Sequence, residues 1–203
     1  MLMFNLTSFK LCLLCELSPS VKASLCTDCW RSLPWLKKEV LRQEMSIWAA
    51  CHYTYPIDRL IQYFKYQQQL HYQHLLAGIL AQVKYVNLQA IVPMPISTAK
   101  LAQRGFNQSV LIAKSLSQQL RIPLWQPILR HAEHSQKGLS RQERLMNIDR
   151  QFYPDPNNKT RFKRVLIVDD VVTTGSSIRA LSEQLQLLHC QQIRAACLAV
   201  AEN

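Results

Sequence analysis

The clearest hydrophobic pattern in this sequence lies in its last quarter. Residues 165–168 are four consecutive apolar residues, with the length and β-branched content of a buried parallel strand. A polar stretch follows at residues 169–177, and apolar positions then return at helical spacing up to about residue 189. Residues 193–200 predict a final strand. The order strand, polar turn, helix, strand is typical of a parallel sheet with a crossover helix.

The preceding residues show the same alternation of periodicities. Apolar residues recur at helical spacing in residues 57–66, 72–85 and 106–120, while short apolar runs predict strands at 90–94 and 123–129. Weaker patterns predict a linker helix at residues 36–47 and an edge strand or hairpin at residues 48–55. They also predict a helix at residues 141–148 and a turn-rich loop at residues 151–159. Together these elements predict an α/β fold, a mainly parallel sheet with helices on both faces.

Two carboxylates, Asp169 and Asp170, follow the strand of residues 165–168 directly. Behind them come residues suited to holding an anion, namely Thr173, Thr174, Gly175, Ser176 and Ser177. Ligands of open α/β sheets bind outside the carboxyl ends of the strands, and N–H groups at a helix start attract phosphate. Carboxylates accept from vicinal hydroxyls, so this turn suits a sugar phosphate. An ordinary Ser/Thr helix cap is the alternative, but it leaves two adjacent acids unexplained.

Residues 165–177, VLIVDDVVTTGSS, resemble the signature of type I phosphoribosyltransferases, whose fold binds phosphoribosyl pyrophosphate (PRPP). The resemblance implies that Asp169 and Asp170 face the ribose hydroxyls and that residues 173–177 hold the 5′-phosphate. It also makes the two acids candidates for a catalytic role. Turnover of PRPP would require Mg²⁺ on the diphosphate.

Four of the seven cysteines form two CxxC pairs, Cys12 with Cys15 and Cys26 with Cys29. Each pair can place two thiolates on one metal ion, and the two pairs complete the tetrahedron of a closed structural zinc site. Such a site would also stabilise a segment too short and polar to build its own core. Redox dithiols or coincidental pairs are the alternatives.

Length and composition predict one α/β domain with a small appendage. The chain has 203 residues, of which 48% are hydrophobic and 18% charged. We predict a zinc-ribbon-like four-Cys module with its linker helix in residues 1–47 and the phosphoribosyltransferase-like domain in residues 48–203. No apolar run approaches the ~20 residues that cross a bilayer, and residues 1–9 lack the pattern of a signal peptide. The expected location is the cytoplasm.

Positive charge is concentrated around the predicted site. The formal net charge is +11, and residues 95–150 contain nine Lys/Arg against three Asp/Glu. This excess fits a polyphosphate ligand or a nucleic-acid backbone. A solvated surface that charge keeps soluble is the competing interpretation.

A second polar stretch follows the strand at residues 90–94. A proline-stiffened turn, VPMP, leads into cationic and amide residues that can approach a pyrophosphate, namely Lys100, Arg104, Gly105 and Asn107. The amides can equally be no more than polar residues at a helix start.

The order of these motifs along nearly the whole chain resembles the ComF family. The motifs, in chain order, are the two CxxC pairs, residues 55–65, VPMP, QRGFNQS and VDDVVTTG. The family's Leu-X-Arg-X-X-Arg-X-X-Asn pattern is also present, as Leu139, Arg141, Arg144 and Asn147. The resemblance implies a role in natural transformation, assisting incoming single-stranded DNA in the cytoplasm. Helicases of DNA uptake or recombination proteins are possible partners. It further implies that Arg104, Gly105, Asn107, Arg141 and Arg144 border the pocket or the DNA path.

Two other functions are compatible with the sequence. The chain can be an active phosphoribosyltransferase for a small base, or a regulator that senses PRPP without turnover. No sequence feature identifies a pocket for the acceptor base. Six aromatic residues are candidates for stacking on DNA bases, namely Tyr63, Tyr66, Tyr72, Phe106, Trp125 and Tyr153.

Overall fold

A five-stranded sheet forms the centre of the molecule. The computed structural model describes residues 10–83, 85–131 and 151–201. Five strands pair in the order β1-β2-β7-β6-β3, and β4 and β5 form a separate antiparallel pair. The strand bounds are β1 Trp35–Arg42, β2 Met45–His52, β3 Ala90–Pro93, β4 Ile128–Arg130, β5 Phe152–Pro154, β6 Arg164–Val172 and β7 Gln192–Val200. Only the β1–β2 pair of the large sheet is antiparallel, so the predicted, mainly parallel sheet is confirmed.

Helices lie on both faces of this sheet. In the described part of the chain they are α1 Thr27–Arg31, α2 Ile57–Tyr66, α3 Gln73–Leu80, α4 Thr98–Arg104, α5 Gln108–Leu120 and α6 Ser176–Leu187, with a 3₁₀ turn at Leu70–Tyr72. Across residues 10–83, 85–131 and 151–201, no helix combines the length and apolarity that a bilayer crossing requires.

The strand β6, which lies between β7 and β3, separates two halves of the core. Leu166 and Val168 pack with α2, α3 and α5, whereas Val165 and Ile167 pack with α6 and the β4–β5 pair. This division follows from the pleat, because successive side chains of a strand point to opposite faces. All four side chains are buried, as the apolar run in the sequence predicts.

The linker helix predicted for residues 36–47 is wrong. These residues form most of the β1–β2 hairpin, in which Val40 pairs with Ile47. Gln43 and Glu44 make its two-residue turn, both with positive φ (48° and 61°). Such turns normally carry Asn or Gly, and the absence of those residues hid the hairpin in the sequence. The edge strand or hairpin predicted at residues 48–55 is confirmed in part, since β2 contains the first half of this segment, but β1 rather than β2 forms the edge of the sheet.

Other differences are confined to short elements. The helix α4 was not predicted, and the predicted loop at residues 151–159 contains the three-residue strand β5. Such a strand carries too few residues for a period of two to stand out, and its partner β4 is remote in sequence. The helix predicted for residues 141–148 lies outside the described residues.

The four-Cys segment packs against the main core. Leu25 and Trp30 belong to the same buried cluster as Phe64 of α2, and the Trp30 and Trp35 rings meet edge to face at 4.9 Å. The predicted boundary after residue 47 falls inside β2. That the four-Cys segment is a unit of its own stays a prediction.

Candidate functional site

The two acids of the motif lie within β6 rather than after it. The strand continues to Val172, so Asp169 and Asp170 point to opposite faces of the sheet. Asp169 accepts a hydrogen bond from the hydroxyl of Ser109 at 3.3 Å and one from the backbone N–H of Asp170 at 2.9 Å. Ser109 is fully buried near the start of α5. The sheet and α5 therefore fix Asp169 together.

Asp170 is buried and paired with a lysine to which the sequence motifs assigned no role. Its residue exposure is 4%, and the Nζ of Lys65 lies 2.6 Å from its Oδ2. Its Oδ1 accepts from the N–H of Val171 at 2.7 Å. Lys65 stands in the last turn of α2. A buried carboxylate is unstable without a positive partner, so this contact attaches α2 to the strand that carries the motif.

The carboxyl group of Asp169 has a raised pKa. Burial raises its pKa, the neighbouring Asp170 raises it further, and together these effects bring it to about 7. The N–H of Asp170, the charge of Lys65 and the hydroxyl of Ser109 oppose the shift without cancelling it. Near neutral pH, Asp169 can therefore either donate or accept a hydrogen bond.

The loop after β6 forms a small cavity with Asp169. The cavity measures about 50 Å³ and is lined by Asp169 together with Val171, Val172, Thr173, Thr174, Gly175, Ser176, Ser177 and Ile178. Asp170 does not line it. The hydroxyls of Thr174 and Ser176 lie 2.9 Å apart, and Gly175 begins α6 with a φ of +81°. The structure thus brings one of the two predicted acids and the hydroxyl-rich helix start to one place, and their binding of a phosphoribosyl group stays a prediction.

The hairpin contributes a basic residue to this loop. Arg42, the last residue of β1, donates from Nε to the carbonyl of Thr173 at 3.1 Å. Its Cβ lies only 2.7 Å from where a Cβ on Gly175 would stand. Within the described residues, no carboxylate pairs with Arg42. A guanidinium therefore stands beside a loop that is suited to an anion.

The VPMP turn is tied to α5 through Asn107. This residue caps α5 by accepting from the N–H groups of Ser109 and Val110, and its amide donates to the carbonyl of Met94 at 3.1 Å. Only Gln108 separates this cap from Ser109, whose hydroxyl contacts Asp169. The predicted contact of Asn107 with a pyrophosphate or DNA stays a prediction, and the observed bonds show a structural role beside it.

The other predicted basic residues of this stretch lie on α4. Lys100 stands in its first turn, where its N–H donates to the Ser97 hydroxyl at 3.4 Å, and Gly105 ends the helix with a φ of +78°. Arg104 donates to the buried Gln108 side chain at 3.1 Å, and its guanidinium lies 5.1 Å above the Tyr66 ring.

Arg141 and Arg144 lie outside the described residues, and their predicted role stays a prediction. The same holds for Leu139 and Asn147.

The four predicted metal ligands converge. The Sγ atoms of Cys12, Cys15, Cys26 and Cys29 all lie within 4.8 Å of one another. Cys15 and Cys26 are 3.9 Å apart, close to the ~3.8 Å between two sulfurs of a tetrahedral site with metal–sulfur bonds of ~2.3 Å. The cluster can therefore hold a metal ion such as zinc.

The local backbone favours thiolates at part of this cluster. Burial raises the pKa of Cys12, but backbone N–H groups, among them those of Cys15 and Leu14, outweigh it and bring the pKa to about 6. N–H groups of Leu17 and Ser18 lower the pKa of Cys15. Burial and the neighbouring thiols raise that of Cys29. A divalent cation would allow all four to ionise, because it compensates the repulsion among them.

Sequence reasoning missed Lys65, Ser109 and Arg42 as parts of the site. Each lies far along the chain from the residue that it contacts, and neither a lysine nor a serine on an amphipathic helix signals its partner. Residues 55–65 did contribute to the family resemblance, which drew attention to Lys65 without assigning it a function.

Comparison with known proteins agrees with this geometry. The model of the phosphoribosyl transferase domain family matches residues 107–203, which include α5 and the motif loop. Competence protein F of Haemophilus influenzae is 31% identical over 97% of this chain and 87% of that protein. The chain belongs to the competence protein F (ComF) family. This confirms the family resemblance that the motif order indicated.

This ComF-family chain has more distant similarity to a second competence protein and to a phosphoribosyltransferase of known structure. Competence protein ComFC of Bacillus subtilis is 26% identical, over 83% of this chain and 68% of that protein. A purine phosphoribosyltransferase structure from Pyrococcus horikoshii is 20% identical, covering 71% of this chain and 72% of that one, with a TM-score of 0.36. The predicted type I phosphoribosyltransferase fold is confirmed by the domain match together with the observed sheet.

The contact between Arg42 and Gly175 predicts an unequal effect of two glycine substitutions. Gly175→Ala places a Cβ on a residue with positive φ and presses it against the Cβ of Arg42. We therefore expect the free energy of unfolding to fall by about 1–3 kcal/mol. Gly105→Ala carries a similar φ but meets nothing within 4 Å, and we expect a smaller loss. Thermal or urea unfolding measures both. Equal losses would contradict the described contact.

The raised pKa of Asp169 predicts a pH dependence of stability. A carboxyl whose pKa rises from its ordinary 3.8 to about 7 on folding stabilises the protein fully below about pH 4. This stabilisation is lost as the pH rises through 7. The free energy of unfolding of the natural protein should therefore fall relative to Asp169→Asn by a few kcal/mol between pH 4 and 7. Urea unfolding of both proteins tests this, and parallel pH profiles would refute it.

Proposed function

We propose that this chain is an accessory protein of natural transformation that binds single-stranded DNA in the cytoplasm and keeps a phosphoribosyl pocket. The observation that carries the proposal is the joint cavity of Asp169 and the Thr173–Ser177 loop, in a chain similar to Competence protein F along nearly its whole length. Helicases of DNA uptake and recombination proteins are the partners that such a role implies.

We assign different tasks to the residues of the proposed pocket. The N–H and hydroxyl groups of residues 173–177 are suited to a 5′-phosphate, with Arg42 beside them, and Asp169 is placed to bond a ribose hydroxyl. Asp170, held by Lys65, keeps the strand end in position rather than lining the cavity. Lys100, Arg104, Gly105 and Asn107 follow the VPMP turn, where a pyrophosphate or a DNA backbone would be bound.

Zinc is the metal that we propose for the four-cysteine cluster. Four cysteine ligands that fill the tetrahedron are typical of structural zinc sites, whereas catalytic sites keep one position open. The ion would hold together a segment whose apolar side chains, such as Leu25 and Trp30, complete the main core.

An active phosphoribosyltransferase is a second candidate, and one cavity favours it. A cavity of about 340 Å³ lies between the VPMP turn and β4, lined largely by apolar side chains such as Ile96, Leu101 and Val110. Asn107 borders it, two residues from the Ser109 that contacts Asp169. A planar base could bind there. Mg²⁺ would then accompany PRPP, and Asp169 is the acid that faces the cavity of the loop.

The zinc proposal predicts one equivalent of metal per chain. Cys12→Ser removes a buried ligand, so elemental analysis should find the zinc lost and unfolding should occur at lower temperature. Cys190→Ser is the matched control, because this buried cysteine lies outside the cluster and its donation to the Phe162 carbonyl can be kept by a hydroxyl. Natural protein that is fully folded without metal would contradict the proposal.

The functional proposal predicts that one preparation binds both single-stranded DNA and PRPP. DNA affinity should fall steeply with salt, because each phosphate contact releases counterions. Asp169→Asn should weaken PRPP binding about tenfold or more, as expected for a lost bond to a charged acceptor. The control is Asp155→Asn, at a half-buried position where an amide oxygen can still accept from the N–H of Asn157. Fluorescence anisotropy with labelled strands and calorimetry with PRPP measure the two affinities.

The outcomes separate the three functions. Absence of DNA binding at low salt would refute the accessory role. Mg²⁺-dependent release of pyrophosphate from PRPP with some base would establish the enzyme, and no release across a broad panel of bases would leave the binding functions. If PRPP changes DNA affinity, the reverse must hold to the same extent, which is the signature of a sensor.

A further inference from the structure

Among the six aromatic candidates for base stacking, the structure favours one. Trp125 is buried, and Tyr63, Tyr72, Phe106 and Tyr153 are each partly covered by protein. Phe106 packs edge to face on Phe64 within the core cluster. Tyr66, in contrast, is 67% exposed at the last position of α2.

Tyr66 lies against a predicted phosphate-binding residue. The guanidinium carbon of Arg104 stands 5.1 Å from the centre of its ring, and one terminal nitrogen lies 3.5 Å from its hydroxyl. A guanidinium over an aromatic face holds the ring in place by cation–π attraction. Since the ring is still two-thirds exposed, the remaining face is available to a planar ligand.

Arg104 has donors that the protein leaves unused. In the part of the chain that the structure describes, no carboxylate pairs with it, and its Nε–H meets no acceptor. Its other terminal nitrogen donates to the side chain of Gln108, which is 6% exposed and fixes the orientation of the guanidinium. The Nε is buried and out of reach of a ligand, but each terminal nitrogen carries a second N–H besides the one described, and these can form charge-assisted hydrogen bonds with a phosphate.

This pair is physically connected to the proposed pocket. Gln108, which orients Arg104, precedes Ser109, whose hydroxyl contacts Asp169. Lys65, which precedes Tyr66, holds Asp170. The exposed ring and the acids of the motif are thus placed by the same two helices, α2 and α5.

We infer that Tyr66 and Arg104 bind one nucleotide of single-stranded DNA, with the base stacked on the tyrosine ring and the adjoining phosphate on the guanidinium. The inference rests on the proposed DNA-binding function and assigns to it a site. An aromatic ring beside a cation is the arrangement by which proteins bind single strands without reading their sequence. The site therefore distinguishes single strands from duplexes, whose bases are not available for stacking on a side chain.

The test compares oligo(dT) with an abasic strand of the same length. Tyr66→Ala should weaken binding of oligo(dT) by about 5- to 100-fold and leave the affinity for the abasic strand nearly unchanged. Tyr66→Phe and Tyr66→Trp keep a stacking surface and should retain most of the affinity. Arg104→Ala should weaken both strands and lower the salt dependence by about one phosphate contact.

Two substitutions on the same chain serve as matched controls. Tyr55→Ala removes a tyrosine that is 77% exposed and has no arginine beside it in the described structure, and Arg194→Ala removes an exposed arginine at the start of β7. Neither should reproduce the loss caused by its counterpart. Thermal unfolding of each variant verifies that it is folded.

Three outcomes would overturn the inference. If natural protein binds oligo(dT) and Tyr66→Ala binds it equally well, the ring does not stack on a base. If Tyr66→Ala weakens the two strands equally, the ring acts on folding or on Arg104 alone. If the natural protein binds neither strand, the DNA-binding function fails and the site fails with it.

Discussion

A buried carboxylate needs a positive charge, and this requirement organises the proposed site. Asp170 is 4% exposed, and Lys65 from α2 meets it at 2.6 Å. The ion pair fixes α2 against β6, while Ser109 fixes α5 against the adjacent acid, Asp169. Because the two acids alternate across the strand, one is used to hold the scaffold and the other is directed to the cavity of the loop. The arrangement explains why a motif of two adjacent acids need not place both of them on a ligand.

The same helices connect the pocket with the surface proposed for DNA. The residue after Lys65 is the exposed Tyr66, and the residue before Ser109 is Gln108, which holds Arg104. A phosphoribosyl ligand and a single strand would therefore share a scaffold that is stabilised by one buried ion pair. The four-Cys segment also packs against this scaffold, since its apolar side chains belong to the same core cluster as those of α2.

Much of the fold could be predicted because its signals are local. The apolar run of residues 165–168 and the helical spacing of residues 57–66 each specify an element without reference to the rest of the chain. The β1–β2 hairpin could not be predicted, because Gln43 and Glu44 take positive φ without the usual turn residues. In the site, the loop and the cysteines follow from spacing, whereas the contacts of Lys65 and Arg42 depend on tertiary packing that no spacing encodes.

The function proposed for this chain requires that Asp169 and the loop of residues 173–177 bind a pentose phosphate. A crystal structure with bound ribose 5-phosphate tests it most directly. We expect the phosphate on the backbone N–H groups of the loop, near Arg42, and a ribose hydroxyl on the Asp169 carboxylate. Sugar phosphate bound elsewhere, or a loop that stays closed by its own side chains at saturating ligand, would contradict it.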